Sequence, residues 1–253
     1  MKIEDQPTIS IVTANHNSAR FIDETIKSVQ AQSFSDWEMI IIDDNSSDEG
    51  IQIIEGYIKK DPRIKLLKNE SNLGPAKTRN KGLEIAQGRY ICFLDSDDLW
   101  YENFLETSLS HLQENSVGFV FSSYDRKNED FTKDNGTFYV PERVSYNDLL
   151  KTCPISCLTA MYDTKLTGKV YMPDVLKRQD FGLWLCILKK VPYAYGINQP
   201  MAIYRMRENS VSRNKLHAAK YQWIIYRDVE KLNLLKSCVS LVQWAYFGFK
   251  KYY

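Results

Sequence analysis

Short apolar runs alternate with amphipathic stretches along the first hundred residues of the chain. The first run, residues 8–14, is rich in β-branched side chains, and apolar residues then recur at helical spacing between Phe21 and Val29. This unit occurs three times, and a fourth strand follows. Strands are predicted at 8–14, 37–42, 64–67 and 90–94, and helices at 21–29, 51–58 and 76–87. Such alternation predicts an open, mainly parallel α/β sheet flanked by helices.

The pattern changes at about residue 125. Turns rich in Asp, Lys and Asn, with short strands between them, predict a hairpin followed by a mixed region. Farther along, residues 180–190 have a helical pattern and residues 191–204 an extended one. The last forty or so residues are again helical in pattern, so the second half is predicted to be a mixed region with a helical tail.

A polar cluster follows three of the four predicted strands. The clusters are residues 15–17, 43–48 and 95–98. Ligands of open α/β sheets bind beyond the carboxyl ends of the strands, and parallel strands bring these ends to one edge. The three loops are therefore expected to converge on one binding site.

The acidic cluster holds Asp95, Asp97 and Asp98. Magnesium and manganese prefer carboxylate oxygens and commonly share their coordination shell with substrate phosphates. The alternative is that these residues form a turn and cap a helix that starts near Tyr101, which one carboxylate would accomplish. Three carboxylates at one strand end repel one another, so we favour a bound cation.

Asp44 and His16 follow the second and the first strand. The Asp44 carboxylate would accept a hydrogen bond from a nucleobase N–H or a ribose hydroxyl, or it would cap the next helix, for which Asp48 is equally suited. The His16 ring would stack on a base, although a lone histidine at a strand end is more often packed or solvated. Taken singly, neither residue decides between ligand binding and structure.

Two groups of the second half carry further chemistry. Asp180 lies at the start of a strongly apolar helix, where it would complement the helix dipole or act as a general base toward an attacking hydroxyl. Arg205, Arg207, Arg213 and Lys215 form a basic stretch that would order over phosphates or remain a solvated loop. Both alternatives stay open at the level of sequence.

Composition narrows the classes of partner. Lys and Arg total 33 against 32 Asp and Glu, so the net charge of +1 gives no field for nucleic acid, and phosphate binding must be local. Five scattered cysteines match neither a disulfide framework nor a zinc pattern and favour a reducing cytoplasm. No signal peptide or membrane-spanning stretch is recognisable. The aromatic and basic residues at 236–253 are typical of an interfacial helix, which predicts contact with the inner face of the cytoplasmic membrane; the alternative is that the tail packs on the sheet domain.

The order of the motifs is more specific than any one of them. Residues 10–17 are SIVTANHN, 42–48 are IDDNSSD, 72–80 are NLGPAKTRN and 88–98 are GRYICFLDSDD. Together they resemble the family 2 glycosyltransferases of the GT-A fold, especially small bacterial enzymes of capsule, O-antigen and teichuronic acid assembly. The likeness is dense over residues 8–100 and thinner at 179–188 and 204–215.

The resemblance implies a GT-A, Rossmann-like catalytic domain over residues 1–215 and a helical C-terminal extension over 216–253. Within the domain, residues 1–100 would form the nucleotide-binding half and residues 101–215 the mixed, acceptor-binding half. The corresponding cofactor is Mn²⁺ or Mg²⁺, and the donor is a nucleotide sugar, expected to be UDP-linked.

The resemblance also implies roles for individual residues. His16, at a position where tyrosine is usual, would stack near the base, Asp44 would read uracil, Asp95 would lie near the ribose, and Asp97 would bind the metal. Asp180 matches the catalytic base of inverting members, preceded by glutamine instead of the usual glutamate. The implied nucleotide contacts are Ala14, His16, Asn17, Asp44, Arg79, Asp95 and Ser96, and the implied diphosphate contacts are Arg205, Arg207 and Lys215.

The expected function is inverting transfer of a sugar to a hydroxyl of a growing, lipid-linked bacterial surface glycan. One alternative is a non-catalytic partner that binds nucleotide sugar or glycan within an assembly complex, against which the presence of both Asp97 and Asp180 speaks. Another is a sugar nucleotidyltransferase, but the Gly-rich loop with Arg and Lys that holds a nucleoside triphosphate is absent after the first strand.

Overall fold

The computed structural model describes residues 6–207 and 215–250, without the side chains of 215–217 and 249–250. Its strands are β1 (Ile9–Asn15), β2 (Trp37–Asp43), β3 (Ile64–Lys68), β4 (Tyr90–Phe93), β5 (Leu99–Trp100), β6 (Phe119–Asn128), β7 (Asp134–Phe138), β8 (Arg143–Val144), β9 (Ala160–Asp163) and β10 (Ala194–Met206). Its α-helices are α1 (Ile22–Gln30), α2 (Gly50–Ile58), α3 (Pro75–Ile85), α4 (Phe104–Glu114), α5 (Tyr146–Lys151), α6 (Thr164–Thr167), α7 (Gln179–Leu188), α8 (Lys215–Ile224) and α9 (Leu234–Lys250).

One sheet joins all ten strands. Its order is β3-β2-β1-β4-β9-β6-β10-β5, with β7 paired to β6 and β8 paired to β10. The first four strands pair in parallel, as do β6 and β10, whereas β9 runs antiparallel to both of its neighbours. The predicted open, mainly parallel α/β sheet is therefore confirmed, and the four parallel strands place their carboxyl ends at one edge.

The two faces of the sheet each carry a hydrophobic core. Ile11 of β1 packs beneath α1, α2 and α4, and its neighbour Val12 packs on the opposite face beneath α3 and α7. On that second face the Trp184 ring of α7 lies 5.9 Å from the Phe93 ring and 5.2 Å from the Phe119 ring. Burial on both faces explains why β1 and β2 are continuously apolar instead of alternating.

The second half differs from its prediction in detail. The sequence pattern did not indicate β9, because β9 has only four residues and is stabilised by pairing with strands distant in the chain. The helix predicted to start near Tyr101 begins at Phe104, since residues 99–100 instead pair with β10. The predicted hairpin is present as β6 and β7.

The helical tail packs on the second half of the chain. A π-helical turn (Ile225–Val229) follows α8, and α9 contacts α5 and α8. The Trp244 ring of α9 lies 5.1 Å from the guanidinium carbon of Arg178, immediately before α7. Within residues 6–207 and 215–250, no helix combines the length and the apolar character needed to cross a bilayer.

Candidate active site

Side-chain hydrogen bonds connect the loops at the carboxyl ends of β1, β2 and β4. Asn15 Nδ2 donates to Asp43 Oδ1 at 2.7 Å, and Ser18 Oγ donates to Asn15 Oδ1 at 2.6 Å. Ser18 Oγ also lies 2.7 Å from Ser96 Oγ. The three predicted loops therefore meet at one edge. The Ser96 hydroxyl, predicted to contact the nucleotide, is engaged in this internal network.

The Asp44 carboxylate holds the loop that follows β3. Its Oδ1 accepts from Asn69 Nδ2 and from the backbone N–H of Leu73, both at 2.8 Å, and its Oδ2 accepts from Gly74 N–H at 2.9 Å. Burial alone would raise the pKa of Asp44, but these hydrogen bonds outweigh it and hold the pKa below its ordinary value. Asp44 is therefore an ionised, preorganised acceptor.

His16 lies between the loops after β2 and β3. Its Nδ1 is 2.9 Å from the carbonyl oxygen of Asp44, which can only accept, so Nδ1 carries the proton. Nε2, which has one lone pair, then accepts from either Asn17 Nδ2 at 3.2 Å or Asn72 Nδ2 at 3.3 Å. The exposed imidazole is thereby fixed beside Asp44, at the position where the sequence predicts a nucleobase.

Asn17 and Ala14 support the same edge. Asn17 has a positive φ of 50°, and its Oδ1 accepts from Ser47 N–H at 2.8 Å, so it connects the first two polar loops. Ala14 is partly exposed on β1, opposite Ile42 of β2.

Arg79 and Asp95 form an ion pair between α3 and the loop after β4. The Arg79 side chain is buried, and its Nε and Nη1 groups have no hydrogen-bond partner among the described residues. Burial would lower the pKa of Arg79, but the charge of Asp95, with smaller contributions from Cys157 and Asp180, raises it. A buried guanidinium with two unsatisfied N–H groups is suited to bind ligand oxygens.

The charge at Asp97 fits a divalent cation. Burial and then repulsion from Asp95 raise the pKa of Asp97, and Arg207 Nη1, 3.1 Å from Asp97 Oδ2, offsets only part of this. In the described part of the chain, no three His, Cys, Asp or Glu side chains are grouped to hold a metal ion. These carboxylates therefore fit a cation that completes its shell with phosphate oxygens and water, not one enclosed by protein ligands.

Asp98 and Arg205 are buried and bond to groups within the protein. The Asp98 carboxylate accepts from Arg205 N–H at 2.8 Å, and burial, followed by the charges of Asp97 and Asp95, raises the pKa of Asp98 well above its ordinary value. The alternative that Asp98 caps the next helix is wrong, because Asn103 precedes α4 and no side chain caps it.

The Arg205 side chain is buried behind the acidic loop. Its Nε donates to the Asp97 carbonyl at 2.7 Å, and its Nη groups donate to the Glu129 carbonyl and the Glu24 carboxylate. Each of its three side-chain nitrogens is thus engaged within the protein, and Arg207 is the predicted phosphate contact that the structure places beside Asp97. The side chain of Lys215 and residues 208–214, Arg213 among them, lie outside the described part of the chain.

Asp180 is the second residue of α7 and is partly buried. Among the residues that the structure describes, none forms a hydrogen bond or ion pair with its carboxylate. It lies within electrostatic range of Arg79, which is ion-paired with Asp95. The structure therefore brings Asp180 to the site formed by the strand-end loops, although it is separated from them by more than 80 positions in the sequence.

Two further residues that support the site, Asn69 and Thr25, lie outside the sequence motifs. Asn69 follows β3 directly, as the three polar clusters follow their strands, so its position was a usable signal. Thr25 carried no such signal: its hydroxyl, on α1, lies 3.1 Å from the Ser96 carbonyl and 3.0 Å from the Asp98 carbonyl. A contact of this kind depends on the packing of α1 against the acidic loop.

A cavity of about 320 Å³ opens at the opposite end of the sheet, beside Trp37. Its charged side chains are already paired, Arg63 with Asp61 at 2.8 Å and Lys65 with Glu38 at 2.8 Å. The strand-end edge, with its unsatisfied guanidinium and excess carboxylate charge, is therefore the candidate site.

Known proteins resemble this chain over most of its length. Residues 10–166 match the sequence profile described as Glycosyl transferase family 2. TuaG of Bacillus subtilis, named for teichuronic acid biosynthesis, is 43% identical over 246 residues, 97% of this chain and 98% of that protein. WfgD of Escherichia coli, named as a UDP-Glc:α-D-GlcNAc-diphosphoundecaprenol β-1,3-glucosyltransferase, is 36% identical over 250 residues, 98% of this chain and 96% of that protein.

Two solved structures share the fold. TarS 1–349 of S. aureus, in complex with UDP-GlcNAc, matches 94% of this chain and 71% of that one, with a TM-score of 0.73 and 20% identity. The mannosyltransferase PcManGT of Pyrobaculum calidifontis, in complex with GDP-Man and Mn²⁺, matches 95% of this chain and 73% of that one, with a TM-score of 0.69 and 16% identity. The predicted GT-A fold is thereby confirmed.

Proposed function

The chain belongs to glycosyl transferase family 2, and we propose that this glycosyltransferase moves a sugar from a UDP-sugar to a hydroxyl of a lipid-linked bacterial glycan, with inversion. One observation carries the proposal. The buried Arg79 guanidinium is ion-paired with Asp95 on the donor side and lies in the field of Asp180 on the acceptor side. Donor-binding and proton-accepting groups therefore share one site.

The nucleoside would bind where the first three strand-end loops meet. The uracil N–H would donate to the Asp44 carboxylate, which the donors of Asn69, Leu73 and Gly74 hold in place. The fixed ring of His16 would stack on the base, and Asp95 would accept from a ribose hydroxyl. Ala14 and Asn17 would line the same edge.

Asp97 would hold the divalent cation, Mn²⁺ or Mg²⁺. When bound, such a cation supplies the positive charge that stabilises the leaving diphosphate. Arg207, already beside Asp97, would donate to a phosphate oxygen, and the unsatisfied N–H groups of Arg79 would orient the donor.

Asp180 would accept the proton of the acceptor hydroxyl. The acceptor oxygen would form its bond to the anomeric carbon while the bond from that carbon to the diphosphate oxygen breaks, so attack comes from the face opposite the leaving group. The name of WfgD gives a β-1,3 linkage, which is the product expected when an α-linked UDP-sugar is inverted. The same name specifies a diphosphoundecaprenol-linked acceptor, which supports a lipid-linked acceptor here.

Incubation with single UDP-sugars, Mn²⁺ and a synthetic GlcNAc-diphospholipid tests the proposal. We expect release of UDP, a product heavier by one sugar in mass spectrometry, and a β-anomeric proton coupling in NMR. An α linkage would contradict inversion. Consumption of a sugar phosphate and a nucleoside triphosphate would indicate a nucleotidyltransferase, and UDP-sugar binding without turnover on any acceptor would indicate a non-catalytic partner.

Membrane contact through the tail is a further part of the proposal. Leu235, Val239, Val242 and Tyr246 of α9 are spaced by four, three and four residues and are 77%, 48%, 69% and 61% exposed. Residues 234–253 contain three lysines and no acidic residue. An exposed apolar stripe on a cationic segment fits an anionic bilayer surface, where a lipid-linked acceptor would be found.

Vesicle co-sedimentation tests this contact. The Val239→Ser/Val242→Ser variant should lose binding to vesicles that contain phosphatidylglycerol, whereas Ala245→Ser, an exposed change beside the stripe on the same helix, should not. If the double variant sediments like the wild type, α9 is not the contact. If it instead abolishes a dimer seen by light scattering, the stripe serves a second copy of the chain.

A further inference from the structure

Asn80 ends the NLGPAKTRN motif and lies on α3 directly after Arg79. Its Nδ2 donates to the Met172 carbonyl at 2.9 Å, and its Oδ1 accepts from the Met172 N–H at 2.8 Å. Two hydrogen bonds to one residue fix both the distance and the orientation of the backbone at 172, which is 92 positions away in the sequence. The amide therefore clamps the segment that precedes α7 onto α3.

The clamped segment also packs on the backbone of α7. A Cβ atom at Gly182 would lie 2.4 Å from Pro173 Cγ, so Pro173 occupies the space that a side chain would need. Gly182 is two residues after Asp180, in the first turn of the helix. A shift of the backbone at 172–173 would therefore move the turn that carries Asp180.

Helix α3 thus contacts both sides of the site through adjacent residues. Arg79 pairs with Asp95 at the donor side. Asn80 holds the segment at 172–173, which packs against α7 at the acceptor side. A second connection from α3 to this segment is the ion pair of Lys77 with Asp174 at 3.1 Å, but both side chains are exposed and such pairs contribute little. Asn80 makes the part-buried connection, through two hydrogen bonds to Met172.

We propose that Asn80 is a positioning residue for glycosyl transfer. By clamping Met172 it sets the separation between the Asp180 carboxylate and the donor held at Asp95. The inference rests on the proposed function, because it takes Asp180 as the base. It predicts that loosening the clamp slows the transfer step without weakening donor binding.

Asn80→Ala removes both hydrogen bonds, and Asn80→Asp keeps the acceptor but loses the donor. We expect kcat to fall about tenfold to a hundredfold in Asn80→Ala, and less in Asn80→Asp, because small misplacements of reacting groups have effects of this size. The Kd for UDP with Mn²⁺ should stay within about twofold. A purely structural role would instead lower the Tm and the UDP affinity together.

Gly182→Ala adds a methyl group that would lie 2.4 Å from Pro173 Cγ, so it pushes the clamped segment away from α7 and should reproduce the fall in kcat with an unchanged Kd. Asp174→Ala, which removes only the exposed ion pair, is the matched control and should change neither. Hydrogen exchange by mass spectrometry should show faster exchange at 170–178 in Asn80→Ala, because the Met172 N–H loses its acceptor.

Wild-type kcat in both Asn80 variants would overturn the inference, as would unchanged exchange at 170–178. Equal losses of kcat and of UDP affinity would also overturn it and assign Asn80 to donor binding. The proposed function fails in a different way, if the wild-type protein transfers sugar from none of the UDP-sugars; the exchange measurement still tests the clamp in that case.

Discussion

The proposed donor and acceptor halves of the site position their functional groups by different means. In the donor half, strand-end side chains bond to one another, as in the pairing of Asn15 with Asp43 and the capture of the loop after β3 by Asp44. In the acceptor half, Asp180 has no such partner among the described residues and is placed by the packing of α7. A rigid, preformed surface suits binding, whereas a base must keep its carboxylate available to take a proton.

The largest effect that separates the halves is expected for Asp180→Asn. The substitution keeps the size of the side chain but removes the proton acceptor, so kcat should fall by about three orders of magnitude. Affinity for UDP, measured by calorimetry with Mn²⁺, should stay within about twofold because the donor loops are untouched. Asp174→Asn, on the preceding loop, serves as the control. Full activity in Asp180→Asn would rule out the base assignment.

Asp97→Ala, unlike Asp180→Asn, should weaken the binding of UDP. Losing one charged contact is expected to weaken UDP binding in Mn²⁺ about tenfold to a hundredfold. Wild-type affinity should fall to the same level when EDTA removes the metal, and the variant should then be insensitive to EDTA. An unchanged calorimetric affinity in Mn²⁺ would speak against Asp97 as the metal ligand.

Asn69→Ala tests the rigidity of the donor loops. It removes one of the donors that Asp44 uses, and we expect the free energy of unfolding in urea to fall by about 1–2 kcal/mol. Asn115→Ala removes an exposed contact with the His111 carbonyl and should cost less than about 0.5 kcal/mol. If both substitutions lower the free energy of unfolding equally, the hydrogen bond from Asn69 to Asp44 stabilises the protein no more than an exposed hydrogen bond does.

The smallest expected effect is a pH dependence of the protein's stability that arises from Asp44. Hydrogen bonds hold its pKa below the ordinary 3.8, so its stabilising contribution is complete above that value and is lost as the pH falls through the lower, folded-state pKa. The Tm difference between wild type and Asp44→Asn should be constant above about pH 5 and shrink below about pH 4. A difference that widens on acidification would exclude this linkage.

The two halves also differ in how far sequence predicts them. In the donor half each strand is followed by its own helix, so β1 to β4 and the convergence of their loops follow from local patterns. In the acceptor half, β9 is four residues long and pairs with strands that begin about 40 and 70 positions earlier, which no local pattern encodes.

The same limit applies to the site. The sequence predicts which residues lie at the strand ends, but not which of them are engaged within the protein. Asp98 is bonded by the backbone of Arg205, 107 positions away, and Ser96 by the hydroxyl of Ser18. Residue type and position therefore indicate the candidates, while the packing of distant segments decides which side chains remain available to a ligand.

The position of β9 between β4 and β6 has a consequence for synthesis on the ribosome. The edge of β4 has no partner until residues 160–163 have been made, because β9 covers it in the finished sheet. During that interval the nascent donor half carries an open, apolar strand edge, which is a template for pairing with another chain. Nascent chains that stall before β9 should therefore depend on chaperones, and expression fragments that end near residue 155 should aggregate although all their donor motifs are intact.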